Sequence, residues 1–234
     1  MCKRGIMKYC ISDVHGEYEL FVKLLERIKF SDEDELYISG DIIDKGKDSV
    51  RLARYIMGKP NIHTIIGNHE YDFLKLYHSL TEADSVDFDA VLERLRDYFP
   101  DGELLDYDVI DWLDSLPFYI EGEDFICVHA GLPIDPSGRV VHPSKADERD
   151  LVYDRRFKEP RVLPVTDKCV LFGHTTTSNI SGENKLLAYR RRGVERATGL
   201  SDYCKIHLDT GAWSHGILGC LCMDTCKVYY VRKT

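Results

Sequence analysis

Five short motifs hold most of the residues in this chain that could do chemistry. They are Asp13-Val14-His15-Gly16, Gly40-Asp41-Ile42-Ile43-Asp44, Gly67-Asn68-His69-Glu70, His129-Ala130-Gly131 and Gly173-His174. Each follows a short apolar run. Asp13, Asp41, Asn68, His15, His129 and His174 together offer carboxylates, an amide and imidazoles, a donor set suited to two adjacent divalent cations. The chemistry such a pair supports is metal-assisted hydrolysis of phosphoesters. In extended backbone, the spacing of Asp13 and His15 directs both side chains the same way, toward one shared ion. Gly16 then permits a tight turn into the next element. An anionic Asp41 can bridge two cations and reduce their repulsion. Mixed nitrogen and oxygen donors predict manganese, with iron and zinc as alternatives, ahead of calcium or magnesium, which prefer all-oxygen shells. Any one motif is a weak signal, but five of them in this order at strand ends are a strong one.

The elements that must position these residues follow from apolar periodicity. Residues 8–11, 36–38 and 62–66 read as strands. Between them, Leu20, Leu24 and Ile28 recur at helical spacing, and a second helix pattern surrounds residues 50–56. Strands alternating with helices predict a layered α/β architecture. Asn68 and His69 are expected in extended backbone, pointing opposite ways. From about 71 to 116 the period is helical, with turns suggested by Phe73-Leu74, by Val91, Leu92, Leu95 and Tyr98, and by Val109, Trp112 and Leu113 before Pro117. This reads as a helical excursion, because strand signals resume at residues 118–120, 125–128 and 169–172. Runs at 204–208, 216–223 and 227–231 close the chain, the last two as a hairpin near Asp224-Thr225. The stretch 178–203 has no clear period.

Composition narrows the classes. The chain has 234 residues, 44% of them hydrophobic, enough for one sizeable core, so a single domain over 1–234 is expected. A formal charge of -9 argues against a sequence-independent nucleic-acid binder, and no nucleic-acid partner is expected. No apolar run approaches the about 20 residues of a membrane span. The N-terminal basic residues lead directly into a strand and not into a secretion signal, so a cytoplasmic protein with reduced thiols is expected. Cys220, Cys222 and Cys226 could suggest zinc, but no second spaced pair or histidine stands near, and Cys220 and Cys222 alternating on one face of a strand explain the cluster better.

With these motifs in place, the chain resembles the calcineurin-like metallophosphoesterases, and within them the phosphoprotein phosphatase family of Ser/Thr phosphatases, especially small bacterial and phage members. The resemblance runs from about residue 8 to Leu208-Asp209-Thr210-Gly211-Ala212. It implies a central β-sandwich flanked by helices. It also implies that Asp13, His15 and Asp41 hold one metal, and that Asp41, Asn68, His129 and His174 hold the other. Two such ions turn a shared water into hydroxide for direct in-line attack, with no phosphoenzyme. His69 would act as general acid toward the leaving group, with Asp44 fixing its tautomer and favouring its protonated form. On the residues alone, His69 could be a third ligand and Asp44 a helix cap.

The family's phosphate clamp is altered here. Its Asp-Arg-Gly step is Asp44-Lys45-Gly46, which keeps the charge and loses the bidentate fork. The residue before Gly67, often Arg in the family, is Ile66. Arg155, in Tyr153-Asp154-Arg155, matches a further phosphate-binding position, or forms a surface ion pair. Lys185, Arg190, Arg191, Arg192 and Arg196 could supply a basic rim over the site, against the simpler reading of a solvated loop. The expected substrate is a phosphorylated protein or peptide, a reading that Glu70 favours because related dinucleoside polyphosphate hydrolases often carry Asp there. The alternatives are a dinucleoside polyphosphate or other phosphorylated small molecule, and an inactive metal-binding scaffold.

Overall fold

A computed structural model of the chain describes residues 5–81, 90, 93, 107–164 and 166–233. Two five-stranded mixed sheets face one another and are flanked by helices, the metallophosphoesterase fold expected from the sequence. The first sheet has the order β10-β9-β1-β2-β3, with β1 Lys8–Ile11, β2 Glu35–Ile38, β3 Ile62–Thr64, β9 Ile217–Cys222 and β10 Val228–Arg232. The second has the order β4-β5-β6-β8-β7, with β4 Tyr119–Glu121, β5 Phe125–Val128, β6 Cys169–Phe172, β7 Leu187–Arg190 and β8 Tyr203–His207. Strands β1, β2 and β3 run parallel, as do β5, β6 and β8.

Alternation along each strand builds the layers. Cys10, Tyr37, Phe125, Cys127, Cys169, Leu171 and Leu221 form the core between the sheets. Their neighbours Tyr9, Ile11, Leu36, Ile38, Cys220 and Cys222 turn outward against α1 (Tyr18–Ile28) and α2 (Ser49–Met57). Ile126, Val128, Val170 and Phe172 cover the other outer face against Leu151 and Phe157. Because both faces of the central strands are buried, they read as unbroken apolar runs. Cys220 and Cys222 share one face as small hydrophobes.

Two local readings change, one at Asn68 and His69 and one in the stretch 178–203, while the helix read from Val109, Trp112 and Leu113 is present. Helix α3, Asn68–Thr81, begins at Asn68, so Asn68 and His69 lie on a helical turn and not in extended backbone. Helix α4 spans Tyr107–Asp114, while the helix read from Val91, Leu92, Leu95 and Tyr98 lies outside the described residues. The aperiodic stretch 178–203 contains the short helix α6 (Ser178–Ser181) and edge strand β7, and a further helix, α5, spans Glu148–Tyr153. No helix of the described residues is long and apolar enough to cross a membrane.

Candidate metal centre

The parallel strands of both sheets release the chain at one end of the sandwich, the usual place for a site in open α/β sheets. Asp13 and His15 follow β1, Asp41 and Asp44 follow β2, and Asn68 opens α3 after β3. His129 follows β5 directly, and His174 lies just beyond β6. Backbone bonds stitch these loops together: the His15 N–H donates to the Asp41 carbonyl at 2.9 Å and the Gly173 N–H to the His129 carbonyl at 2.8 Å. Six of the described non-glycine residues with positive φ are Asp13, His15, Asp41, Asp44, Lys45 and His174. Left-handed backbone is costly for such residues and is held by its surroundings, so local strain concentrates at this one place. Gly67 and Gly173 are required by close approach, since a Cβ at Gly67 would collide with Asp41 and one at Gly173 with Ser12 and Asp13.

Asp41 lies at the centre. Its Oδ2 is 3.6 Å from His15 Nε2, 3.4 Å from His129 Nε2 and 3.8 Å from His69 Nε2. His129 Nε2 stands 3.2 Å from His174 Nδ1, and Asn68 Oδ1 stands 3.0 Å from the first and 2.7 Å from the second. Two groups able to hold a cation result: His15, Asp41 and His69, and Asp41, His129 and His174. His129 donates from Nδ1 to the Ser39 carbonyl at 2.8 Å, and His15 from Nδ1 to the Ile43 carbonyl at 3.2 Å. Their Nε2 lone pairs therefore face inward.

The donor set fits divalent cations. Burial pushes the Asp13 carboxyl up to about 6 and Asp41 up to about 7. It likewise drives His15 and His129 down, and His174 down to about 2, the last helped by His129 and by the charge of Arg155. Buried carboxylates beside neutral imidazoles need a positive partner. One stand-in is visible: the Lys45 ammonium donates to His15 Nε2 at 3.1 Å.

Asp13 lines the same cleft as His15 and His174 and interacts electrostatically with Asp41 and His129. With φ at 52° its carboxylate is not directed by strand alternation, and it accepts from the His174 N–H at 3.1–3.2 Å and from Ser12 Oγ. His69 also comes within reach of His15 and Asp41. His69 is also the one histidine of the cluster held upward: burial alone would lower it, but the hydrogen bond it donates to Asp44 and the charge of Asp41 prevail. Its Nδ1 lies 2.5 Å from Asp44 Oδ2. Asp44 thus grips His69, while the N-cap position of α2 is Asp48.

Several further positions take a different role from the one read in sequence. Arg191 donates to the carbonyls of Thr166, Asp167, Lys168 and Ser201. Arg190 pairs in register with Tyr203, at the end of β8 remote from the site, and bonds the Glu195 carbonyl; Lys185 pairs with Glu183. Arg191 is thus a strut that ties loops together, and its guanidinium is not free to join a basic rim. Asp154 pairs with Arg156, not with Arg155. Ile66 is buried in the core beneath the site.

Glu70, a substrate discriminator on sequence grounds, has a structural role. It is fully buried and accepts the N–H groups of Asp41, Ile42, Ile43 and Gly67 at 2.8–3.0 Å. It shapes the loop that presents Asp41, so it does not report on substrate. Orphaned buried donors cost about 1–3 kcal/mol each. Glu70→Ala is therefore expected to lower Tm by about 10 °C or more. An unchanged Tm in thermal unfolding would remove Glu70 from this role. Asp209 was also missed as a site residue: burial pushes its carboxyl well up, it accepts from the Gly211 N–H, and it lines the same cleft as Asp13, Lys45 and Trp213.

This fold and this convergence of donors define an enzyme of the metallophosphoesterase class. The sequence matches the calcineurin-like phosphoesterase family model over residues 9–209, and the chain belongs to that family. Curated relatives include the symmetrical bis(5'-nucleosyl)-tetraphosphatase of Delftia acidovorans, 32% identical over 131 residues, covering 53% of this chain and 44% of the relative. The enzyme of the same description from Aggregatibacter actinomycetemcomitans is 29% identical over 131 residues, covering 54% and 45%. The match thus spans under half the length of these relatives. A solved structure described as a candidate diadenosine tetraphosphatase superposes with a TM-score of 0.70 at 18% identity, covering 100% of this chain and 96% of the other. A protein serine/threonine phosphatase from Saccharomyces cerevisiae gives 0.53 at 13%, covering 98% and 80%; these two structures speak to fold alone.

Proposed function

We propose that this protein hydrolyses a phosphoanhydride bond of dinucleoside polyphosphates. One observation carries the hydrolytic part: inward-facing imidazole nitrogens and the Asn68 oxygen converge around Asp41 beside the separate His69–Asp44 pair. The substrate class is supported by the symmetrical bis(5'-nucleosyl)-tetraphosphatases among the relatives. It replaces the phosphoserine or phosphothreonine peptide as the first expectation, since Lys45 and Ile66 thin the clamp and Glu70 faces backbone.

In this reading Asp13, His15, Asp41, Asn68, His129 and His174 hold two divalent cations, manganese first among the candidates, with Asp41 shared. Asp13 also accepts the His174 backbone N–H and so steadies that ligand. Such ions, when bound, activate water and neutralise phosphate oxygens. Lys45, whose ammonium rests on His15 Nε2, would leave that nitrogen when it takes a cation and turn to a substrate phosphate. Arg155 contributes charge from the other side. In the hydrolysis, a water oxygen bonds to phosphorus as the bridging P–O bond breaks opposite it. His69 can deliver a proton from Nε2 to the departing oxygen, because Asp44 occupies Nδ1.

A substrate panel with added Mn²⁺ tests this, comparing diadenosine tetraphosphate, a phosphoserine peptide and an aryl phosphate. The highest kcat/KM is expected for diadenosine tetraphosphate. Preference for the peptide would restore the Ser/Thr phosphatase reading, and no turnover of any substrate would sink the enzymatic one.

A further inference from the structure

Large apolar side chains exposed on the described surface are Ile6, Met57, Tyr107, Leu163 and Trp213. Of these, Trp213 alone lines the cleft that holds Asp13, His15, Lys45, His174 and Asp209. It is 47% exposed, while the preceding Ala212 is buried. The indole sits on a short helix, α7 (Ala212–His215), bracketed by Gly211 and Gly216, both with left-handed backbone. Thr210 fixes the base of this turn: its hydroxyl donates to the Ile217 carbonyl and accepts from the Gly219 N–H. The chain therefore presents a large flat apolar ring to water on a firmly held support, at the mouth of a site otherwise built from charged and polar groups.

The ring centroid is 5.9 Å from Lys45 Nζ, and that ammonium is 3.1 Å from His15 Nε2. Laid end to end, these distances place the ring centre no more than 9.0 Å from a candidate metal-binding nitrogen. That gap is of the length of a sugar with its phosphates. A planar base on the indole would leave its phosphates beside Lys45 and the metal centre. Every nucleobase has a π face, so such a platform accepts purines and pyrimidines alike.

The geometry points to Trp213 as a nucleobase-stacking subsite, which binds the base of a nucleoside 5'-phosphate whose phosphate chain runs past Lys45 into the metal centre. This rests on the nucleotide-hydrolase reading for its physiological ligand, but it is tested by binding.

The probes are the methylene analogue of ADP and methylenediphosphonate, which differ by the adenosine and resist cleavage. They are titrated into the Mn²⁺-loaded protein by calorimetry and by tryptophan fluorescence. The adenosine is expected to improve Kd by about tenfold or more, within the about 5- to 150-fold that base stacking supplies. The ADP analogue is also expected to quench Trp213. In Trp213→Ala the adenosine advantage should fall below about threefold, and Trp213→Phe should restore most of it, which separates stacking from a folding defect. An adenosine advantage that is absent in the parent, or unchanged in Trp213→Ala, overturns the subsite. So does weakened binding of a phosphoserine peptide with the ADP analogue unaffected, since the ring would then receive a peptide. Failure of diadenosine tetraphosphate turnover in the parent would sink the proposed reaction and leave this binding result standing, so the two failures are distinguishable.

Discussion

Asp41→Asn is expected to abolish the stabilisation that Mn²⁺ gives the parent protein and to remove its phosphoesterase activity. A ligand that binds only the folded state at about a thousand times its Kd stabilises it by about 4 kcal/mol. For a chain of this size that is a Tm rise of about 8–16 °C. Asp41 is the one residue common to both cation-holding groups, with Oδ2 within 3.4–3.8 Å of three imidazole nitrogens. An amide keeps its shape and can still accept the His69 N–H, which Asp41 Oδ1 accepts at 3.1 Å. It cannot supply the negative charge that lets two cations lie close together. The sign in metal-free protein is the opposite. There the buried carboxylate is a liability, since burial disfavours its charged form. The chelated variant should therefore melt no lower than the chelated parent. Scanning calorimetry with and without chelator measures both. A variant that keeps the parent's Mn²⁺-dependent Tm shift would show that Asp41 is not the shared ligand.

What the sequence made legible at this centre was what adjacent residues encode. His129 and His174 could be placed because each follows an apolar strand buried on both faces, and Asp41 because Gly40 and the run at residues 36–38 precede it. Where the answer depended on distant partners, the pattern was silent. Glu70 bonds backbone groups up to 29 positions away, so nothing beside it announces a strut. Arg191 looks like part of a charged run, yet its guanidinium is consumed by carbonyls of two other segments. Strand β7 escaped notice because it is an edge strand, half exposed, with no apolar run to mark it. Asp13 illustrates a subtler limit. The motif marks Asp13 as a site residue, but the expected strand alternation does not hold there: Asp13 lies beyond β1 in left-handed backbone, and its carboxylate accepts the His174 N–H. The pairing of Lys45 with Trp213 was illegible for a related reason: the two are 168 residues apart in sequence, and only the fold brings ammonium and indole to the same rim.

His69→Asn is expected to separate the two substrate classes by their leaving groups. The His69 ring is edge-on to His15 at 4.7 Å, and its Nδ1 is 2.5 Å from the Asp44 carboxylate, so Nε2 is the nitrogen that can serve the substrate. A leaving serine alkoxide is a strong base, and without a proton its departure is slow. General acid catalysis contributes about 10²- to 10⁴-fold in such cases. A leaving phosphate is different, since its second ionisation has a pKa of about 6 and it departs at neutral pH without help. The variant should therefore lose about 10²-fold or more in kcat on a phosphoserine peptide. Its loss on diadenosine tetraphosphate should be under about tenfold, because little of the barrier there depends on an acid. The Mn²⁺-dependent Tm shift checks the competing role. His69 Nε2 lies 3.8 Å from Asp41 Oδ2 and shares a candidate cation group with it. If the variant binds Mn²⁺ as the parent does while discriminating between leaving groups, His69 is the acid. If it loses Mn²⁺ and both activities together, His69 is a ligand beside His15 and Asp41.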